Sequence, residues 1–169
     1  VCLFCSVDNP NGSVDIDRNT FSQIHVPVGL LGGYAQQTLR FASTGRAGDS
    51  VVVELGVPGS LADVSVLSGI NLATYNGSTF NNDRITVNGA LLSISLLNGQ
   101  SRFRIAFKAN ADFDRVEIRL NSGVATLLTA LNVYDAAQEV AAPVIATANV
   151  TTCDGSQATL TATVPSYVT

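Results

Sequence analysis

Apolar and polar residues alternate in short blocks along most of the chain. Thr38-Leu39-Arg40-Phe41, Ser101-Arg102-Phe103-Arg104-Ile105-Ala106-Phe107 and Arg115-Val116-Glu117-Ile118-Arg119-Leu120 keep a period of two, which places aliphatic and aromatic side chains on one face and arginine on the other. This is the signature of half-buried antiparallel strands. Further strands are expected at Ile24 to Val28, Asp49 to Leu55, Ile70 to Tyr75, Arg84 to Val87, Leu91 to Leu97 and Ala130 to Tyr134. Gly32-Gly33, Gly45 to Gly48, Pro58-Gly59, Asn76-Gly77, Asn88-Gly89, Asn98-Gly99 and Ser122-Gly123 punctuate them, and Asn-Gly and Gly-x pairs favour tight hairpin turns. About eight or nine strands at this spacing predict an all-β protein, an antiparallel sandwich or jelly roll. Helical periodicity is scarce. Residues 60 to 67 and 124 to 131 are expected to hold short turns, the second being equally readable as strand.

The pattern changes at Ala136-Ala137-Gln138-Glu139-Val140-Ala141-Ala142-Pro143, a run of small residues ending in proline. This divides the chain into a β-sandwich at 1–137, a linker at 138–143 and a second unit at 144–169. In the second unit, Val144 to Thr152 and Ala158 to Val164 read as two strands around Cys153-Asp154-Gly155-Ser156. Two strands cannot bury a core alone, so this is expected to be the opening of an incomplete domain. The alternative is that it extends the sheets of the first.

Composition agrees with this picture. In 169 residues, 46% hydrophobic content supplies a sizeable core and argues against disorder, while a charged fraction of only 13% favours strands and turns over surface helices. The formal charge is −4, and Lys108 and eight arginines are scattered along the sequence, so no basic stripe is legible and nucleic acid is not an expected partner. No uninterrupted apolar run reaches the length of a membrane span. The start at Val1 is read as that of a mature or excised segment.

Cys2 and Cys5 form a Cys-x-x-Cys, for which a short-loop disulfide, half a zinc site and a redox pair compete. The turn-forming Ser6-Val7-Asp8-Asn9-Pro10-Asn11-Gly12 that follows does not suit a redox helix, and His25 with Cys153 would make a poor second ligand pair for zinc. The disulfide is therefore expected, with an oxidising, extracytoplasmic location. His25 is the one histidine, and neither a Gly-x-Ser-x-Gly elbow nor a His-Glu-x-x-His accompanies it. Asp112 with Asp114, or Asp83 with Glu54, are carboxylate pairs on which glycoside hydrolysis would be built, but there is no Trp to serve as a sugar platform. A non-enzymatic role is expected.

Ligand contacts are expected on loops at one end of the sandwich, where aromatic and polar side chains coincide. Tyr75, Asn76, Asn81, Asn82, Asp83 and Arg84 crowd one such loop and form the first candidate binding surface. Asp15, Asp17, Asn19 and Thr20 gather hard oxygen ligands, which makes calcium the metal to consider, although Thr20 and Val26 stand where an EF-hand requires Gly and Glu. Asn11-Gly12-Ser13, Asn76-Gly77-Ser78 and Asn149-Val150-Thr151 are formal N-glycosylation sequons.

Ser13-Val14-Asp15-Ile16-Asp17-Arg18-Asn19-Thr20-Phe21 resembles the opening motif of galactose-binding-like jelly rolls, with Ile16 in place of the usual glycine. The resemblance implies a structural calcium held by Asp15, Asp17, Asn19 and Thr20, with Asp135 or Glu139 near the last strand completing the shell. Thr152-Cys153-Asp154-Gly155-Ser156-Gln157-Ala158-Thr159-Leu160-Thr161-Ala162 resembles the first strands of immunoglobulin-like repeats in large Bacteroidetes surface proteins exported by type 9 secretion. Cys2-x-x-Cys5, Val26 to Tyr34 and Phe113-Asp114-Arg115-Val116 resemble the modules that precede such repeats. Asp49-Ser50-Val51 is similar to the short O-glycosylation motif of that group, which points to Ser50. The function implied is that of a secreted, non-enzymatic module of a cell-surface adhesin or surface filament, serving adhesion, display or spacing. Its expected partners are neighbouring repeats, with a glycan or surface protein in addition. The alternative is a carbohydrate-binding module appended to a secreted enzyme.

Overall fold

A computed structural model describes residues 2, 4–27, 32–59, 64–88, 92–93, 102–122, 128–141, 144–145 and 161–163. The strands are β1 (Ser6–Asp8), β2 (Ser22–His25), β3 (Tyr34–Gly45), β4 (Ser50–Gly56), β5 (Ile70–Asn76), β6 (Thr79–Phe80), β7 (Ile85–Thr86), β8 (Leu92–Ser93), β9 (Arg102–Lys108), β10 (Phe113–Asn121), β11 (Ala130–Glu139), β12 (Val144–Ile145) and β13 (Ala162–Thr163). Sheet A runs β1-β2-β11-β4-β9-β8, and sheet B runs β3-β10-β5, with β6 and β7 both pairing with β5. All of the pairings are antiparallel. The protein is thus an all-β sandwich, as its alternation predicts.

Period-two alternation builds the core between the sheets. Sheet A sends in Ile24, Val51, Val53, Leu55, Phe103, Ile105, Leu131 and Val133, while sheet B sends in Leu39, Ile70, Leu72, Val116, Ile118 and Leu120. Each large aliphatic or aromatic side chain removed from water contributes about 1.5–3 kcal/mol, so this shared interior is the main stabilising term. Phe113 is also fully buried and meets Phe41 edge-on, with ring centroids 5.8 Å apart. A Cβ on Gly45 would fall 2.5 Å from the Phe113 ring, which explains glycine at the end of β3. Gly77-Ser78 closes the β5–β6 hairpin with Gly77 at φ 59°, directly after Asn76, which pairs with Thr79 at the end of β5.

The strands exceed their sequence signals in three places. Ser6–Asp8, which reads as turn material, is β1 and pairs with β2 in the register Ser6↔His25. β3 runs well beyond 38–41, pairing with β10 from Tyr34 to Gly45. Its inward Gln37 breaks the apolar alternation and is buried in a polar network, donating to Ser13 Oγ at 2.9 Å and Pro10 O at 3.0 Å and bonded to Ser22. β11 continues through the alanines to Glu139, with Gln138 opposite Val51 and Glu139 opposite Ser50. The ladder therefore includes the first two residues of the stretch read as linker. Residues 60–63 lie outside the described set, and a 3₁₀ turn covers Val64–Gly69. Of the strand expected at 91–97, Leu92–Ser93 is described, and of the unit at 144–169, the β12–β13 ladder. Cys153 lies outside the described residues.

Candidate functional site

On β10, residues 116, 118 and 120 point inward, so Arg115, Glu117 and Arg119 project from the outer face of sheet B. Strand register sets Arg40 beside Arg115 on one side and Tyr75 on the other, and sets Arg119 between Gln36 and Asn71. Glu117 is 2% exposed and anchors the face. Its Oε2 accepts from Tyr75 Oη at 2.9 Å, and its Oε1 accepts from Arg84 Nη1 at 2.7 Å and pairs with Arg119 Nη2 at 3.2 Å. Arg119 also donates to Gln36 Oε1 at 2.8 Å and lies 3.9 Å above the Tyr34 ring. The Phe80 ring meets Tyr75 at 5.3 Å, and the Arg84 guanidinium lies 5.3 Å from the Phe80 centroid. Burial, then the hydrogen bond to Glu117 and its charge, hold the Tyr75 phenol above its ordinary pKa of 10.0.

The candidate loop thus divides by role. Tyr75 and Arg84 belong to this face, while Asn76 and Asn82 are exposed beside the hairpin, Asn82 at φ 56°. Asp83 and Asn81 bind the scaffold. The buried Asp83 carboxylate accepts from Thr74 N at 2.8 Å and from the Thr74 hydroxyl, and Asn81 Nδ2 donates to Thr74 Oγ1 at 2.8 Å and Asp112 O at 3.1 Å.

The calcium candidates Asp15, Asp17, Asn19 and Thr20 come together. Thr20 Oγ1 lies 2.6 and 2.7 Å from the two Asp15 carboxylate oxygens, 2.7 Å from Asp17 O and 3.0 Å from Gly12 O. Four oxygens thus surround the Thr20 hydroxyl oxygen, whose single proton serves one of them; all are hard oxygens of the kind calcium takes, but the centre of the group is Thr20 Oγ1 itself. Asn19 instead bonds inside the loop, its backbone and side-chain nitrogens donating to Asp17 Oδ1 at 2.9 and 3.1 Å. Asp135 stands apart at the register break of β11, accepting from Ala136 N at 2.8 Å. Among the described residues no three His, Cys, Asp or Glu side chains converge as a metal site.

On the outer face of sheet A, a depression of about 480 Å³ is lined by Arg18, Glu54, Arg102, Arg104, Asp135 and Glu139. Arg102 pairs with Glu54, and Arg104 with Glu139. Arg102 also donates to Arg18 O at 2.7 Å and lies 4.0 Å above the Tyr134 ring, which meets Phe21 at 5.2 Å. One arginine thereby docks the oxygen-rich loop onto the sheet.

The remaining candidates separate. Glu54 is on the outer face of sheet A, whereas Asp83 is locked to β5 of sheet B, so they share no cleft. Asp112 accepts from Ala47 N at 3.0 Å and Arg46 Nη1 at 2.9 Å, which hold its carboxyl below the ordinary aspartate range. Asp114 accepts from Gly77 N at 2.8 Å and pairs with Arg115 at 3.3 Å and Arg40 at 3.7 Å. His25 is half-buried on β2 between Ser6 and Ala130. Ser50, half-buried, opens β4 opposite Lys108 and Glu139. Cys2 and Cys5 are joined by a disulfide, with Cα atoms 5.6 Å apart. Among the described residues no helix is long and apolar enough to cross a membrane.

No family model matches the sequence, and no curated protein does. A solved structure, the Agl-KA catalytic domain, is similar at a TM-score of 0.39 and 13% identity over 91% of this chain, which spans 27% of that one. So distant a likeness carries no functional argument.

Proposed function

We propose that the chain is a non-enzymatic extracellular module of a bacterial cell-surface adhesin or surface filament, serving adhesion, display or spacing. In this reading it is a galactose-binding-like jelly roll that precedes immunoglobulin-like repeats in a type 9-secreted Bacteroidetes protein. The observation that carries the proposal is the bonded exit of the sandwich. The buried Asp49 carboxylate accepts from Arg46 N at 2.8 Å and from Ala141 N at 3.0 Å, tying the β3–β4 turn to the chain just past β11. The chain is thereby held to the sandwich as far as residue 141, an anchored exit of the kind that spacing and display would use. The Cys2–Cys5 disulfide supports an oxidising location. Calcium at the loop that carries Asp15, Asp17, Asn19 and Thr20, with Asp135 completing its shell, belongs to the same reading.

The second reading, a carbohydrate-binding module of a secreted enzyme, is favoured by the sheet A depression, whose polar walls would hydrogen-bond sugar hydroxyls. Deleting residues 1–141 from the parent protein distinguishes the two. Loss of cell attachment with the remainder still displayed supports the adhesin. Unchanged attachment, with weakened retention of an enzyme on polysaccharide, supports the second reading.

A further inference from the structure

We infer that the outer face of sheet B is a docking surface for a polyanionic polysaccharide, one bearing carboxylate or sulfate groups along its length. In a chain with a formal charge of −4, four of nine cationic side chains lie on this one face, Arg40, Arg84, Arg115 and Arg119, against Glu117 and Asp114. Two features show that folding alone does not require this arrangement. Glu117 offers one negative charge to two guanidiniums, leaving that cluster positive. Arg40 and Arg115 face each other directly across β3 and β10, and like charges in opposed positions destabilise a sheet. Asp114 lies between them at 3.7 and 3.3 Å and offsets only part of this.

The ligand class follows from the spacing and chemistry of these cations. Arg115 and Arg119 are four residues apart on one strand, about 13 Å, so the face suits charges distributed along a polymer rather than one small anion. Guanidinium forks match planar carboxylates and sulfate oxygens. Single-stranded nucleic acid fits less well because its bases stack on several open rings, whereas Tyr34, 46% exposed, already carries Arg119 on one face and Tyr75 packs on Phe80. A duplex, held through its phosphates, is a competing outcome of the test. The choice of a polysaccharide as the polyanion rests on the extracellular reading above.

Affinity electrophoresis of the whole chain through gels containing polygalacturonate, chondroitin sulfate or neutral dextran tests the inference. The expected result is retardation by polygalacturonate, chondroitin sulfate or both, and none by dextran. Affinity should fall roughly tenfold between about 50 and about 200 mM salt. Chondroitin sulfate bears carboxylates as well as sulfates, so retardation by polygalacturonate assigns carboxylate recognition, and retardation by chondroitin sulfate alone assigns a requirement for sulfate. Arg40→Gln/Arg115→Gln should abolish retardation, and Lys108→Gln, on sheet A, should leave it intact. If the double variant does not fold, Arg40→Glu serves instead, since that side chain is 74% exposed. No retardation by either anionic polymer, retardation equal in dextran, indifference to the sheet B variants or tighter binding of a DNA duplex would each overturn the inference. Display on intact cells without polyanion binding would leave the module reading standing and this inference refuted, whereas binding by a protein confined within cells would do the reverse.

Discussion

Asp49 and Ala141 are 92 residues apart in sequence, yet the carboxylate of the first accepts the backbone N–H of the second at 3.0 Å. The other carboxylate oxygen holds Arg46 N at 2.8 Å, and Asp49 itself is 4% exposed. Asp49→Ala would leave both amides without their acceptor and lower stability by about 2 kcal/mol. Denaturant unfolding measures that loss, and hydrogen exchange at Ala141 should accelerate more than exchange in β10. Unchanged exchange at Ala141 would show that the exit is not fixed by this bond.

Glu117 and Arg40 should respond very differently to loss of charge. Glu117→Gln removes a buried anion that serves Tyr75, Arg84 and Arg119, at a cost of about 2 kcal/mol. Arg40→Gln touches an exposed pair and should change stability by less than about 0.5 kcal/mol. Urea midpoints of the two variants should separate clearly, and similar midpoints would mean that Glu117 does not organise the face.

Asp112 predicts an acid limb in the stability profile. Its carboxylate is held below the ordinary value of 3.8, first by the Ala47 N–H and then by Arg46. A lowered folded pKa means that the stabilisation is fully present above the unfolded value and is lost as pH falls through the folded one. The parent and Asp112→Asn should therefore differ most near neutrality and converge at pH values below 3.8. A constant difference across acid titration would contradict the assignment.

Calcium should raise the melting temperature if the 12–20 loop binds it in the folded state, and a chelator should reverse the shift. Asp15→Asn should remove the response, since Asp15 contributes two of the crowded oxygens. Equal melting with calcium and with chelator would remove the ion from the proposal.

The fold was legible because Val, Ile, Leu and Phe alternate with polar residues wherever a strand has one wet face. It was illegible where an inward position is polar, as at Gln37, and where a strand is built of small residues, as at Ala136 and Ala137. Arginines spread along the sequence did not announce a cluster. The triplet Arg115-x-Glu117-x-Arg119 carries a signal for one face of one strand, but Arg40 and Arg84 join it only through inter-strand pairing and a side-chain bridge. Asn81 and Asp83 looked like loop ligands because sequence does not reveal that both turn back onto Thr74. The roles of Arg102 and Tyr134 in docking the oxygen-rich loop likewise depend on a stack assembled from distant segments.

The central proposal, an extracellular surface module, is tested most directly by protease shaving of intact cells that produce the parent protein. Peptides from residues 102–122 should appear in the supernatant while a cytoplasmic marker stays inside. Release of those peptides only after lysis would contradict the account.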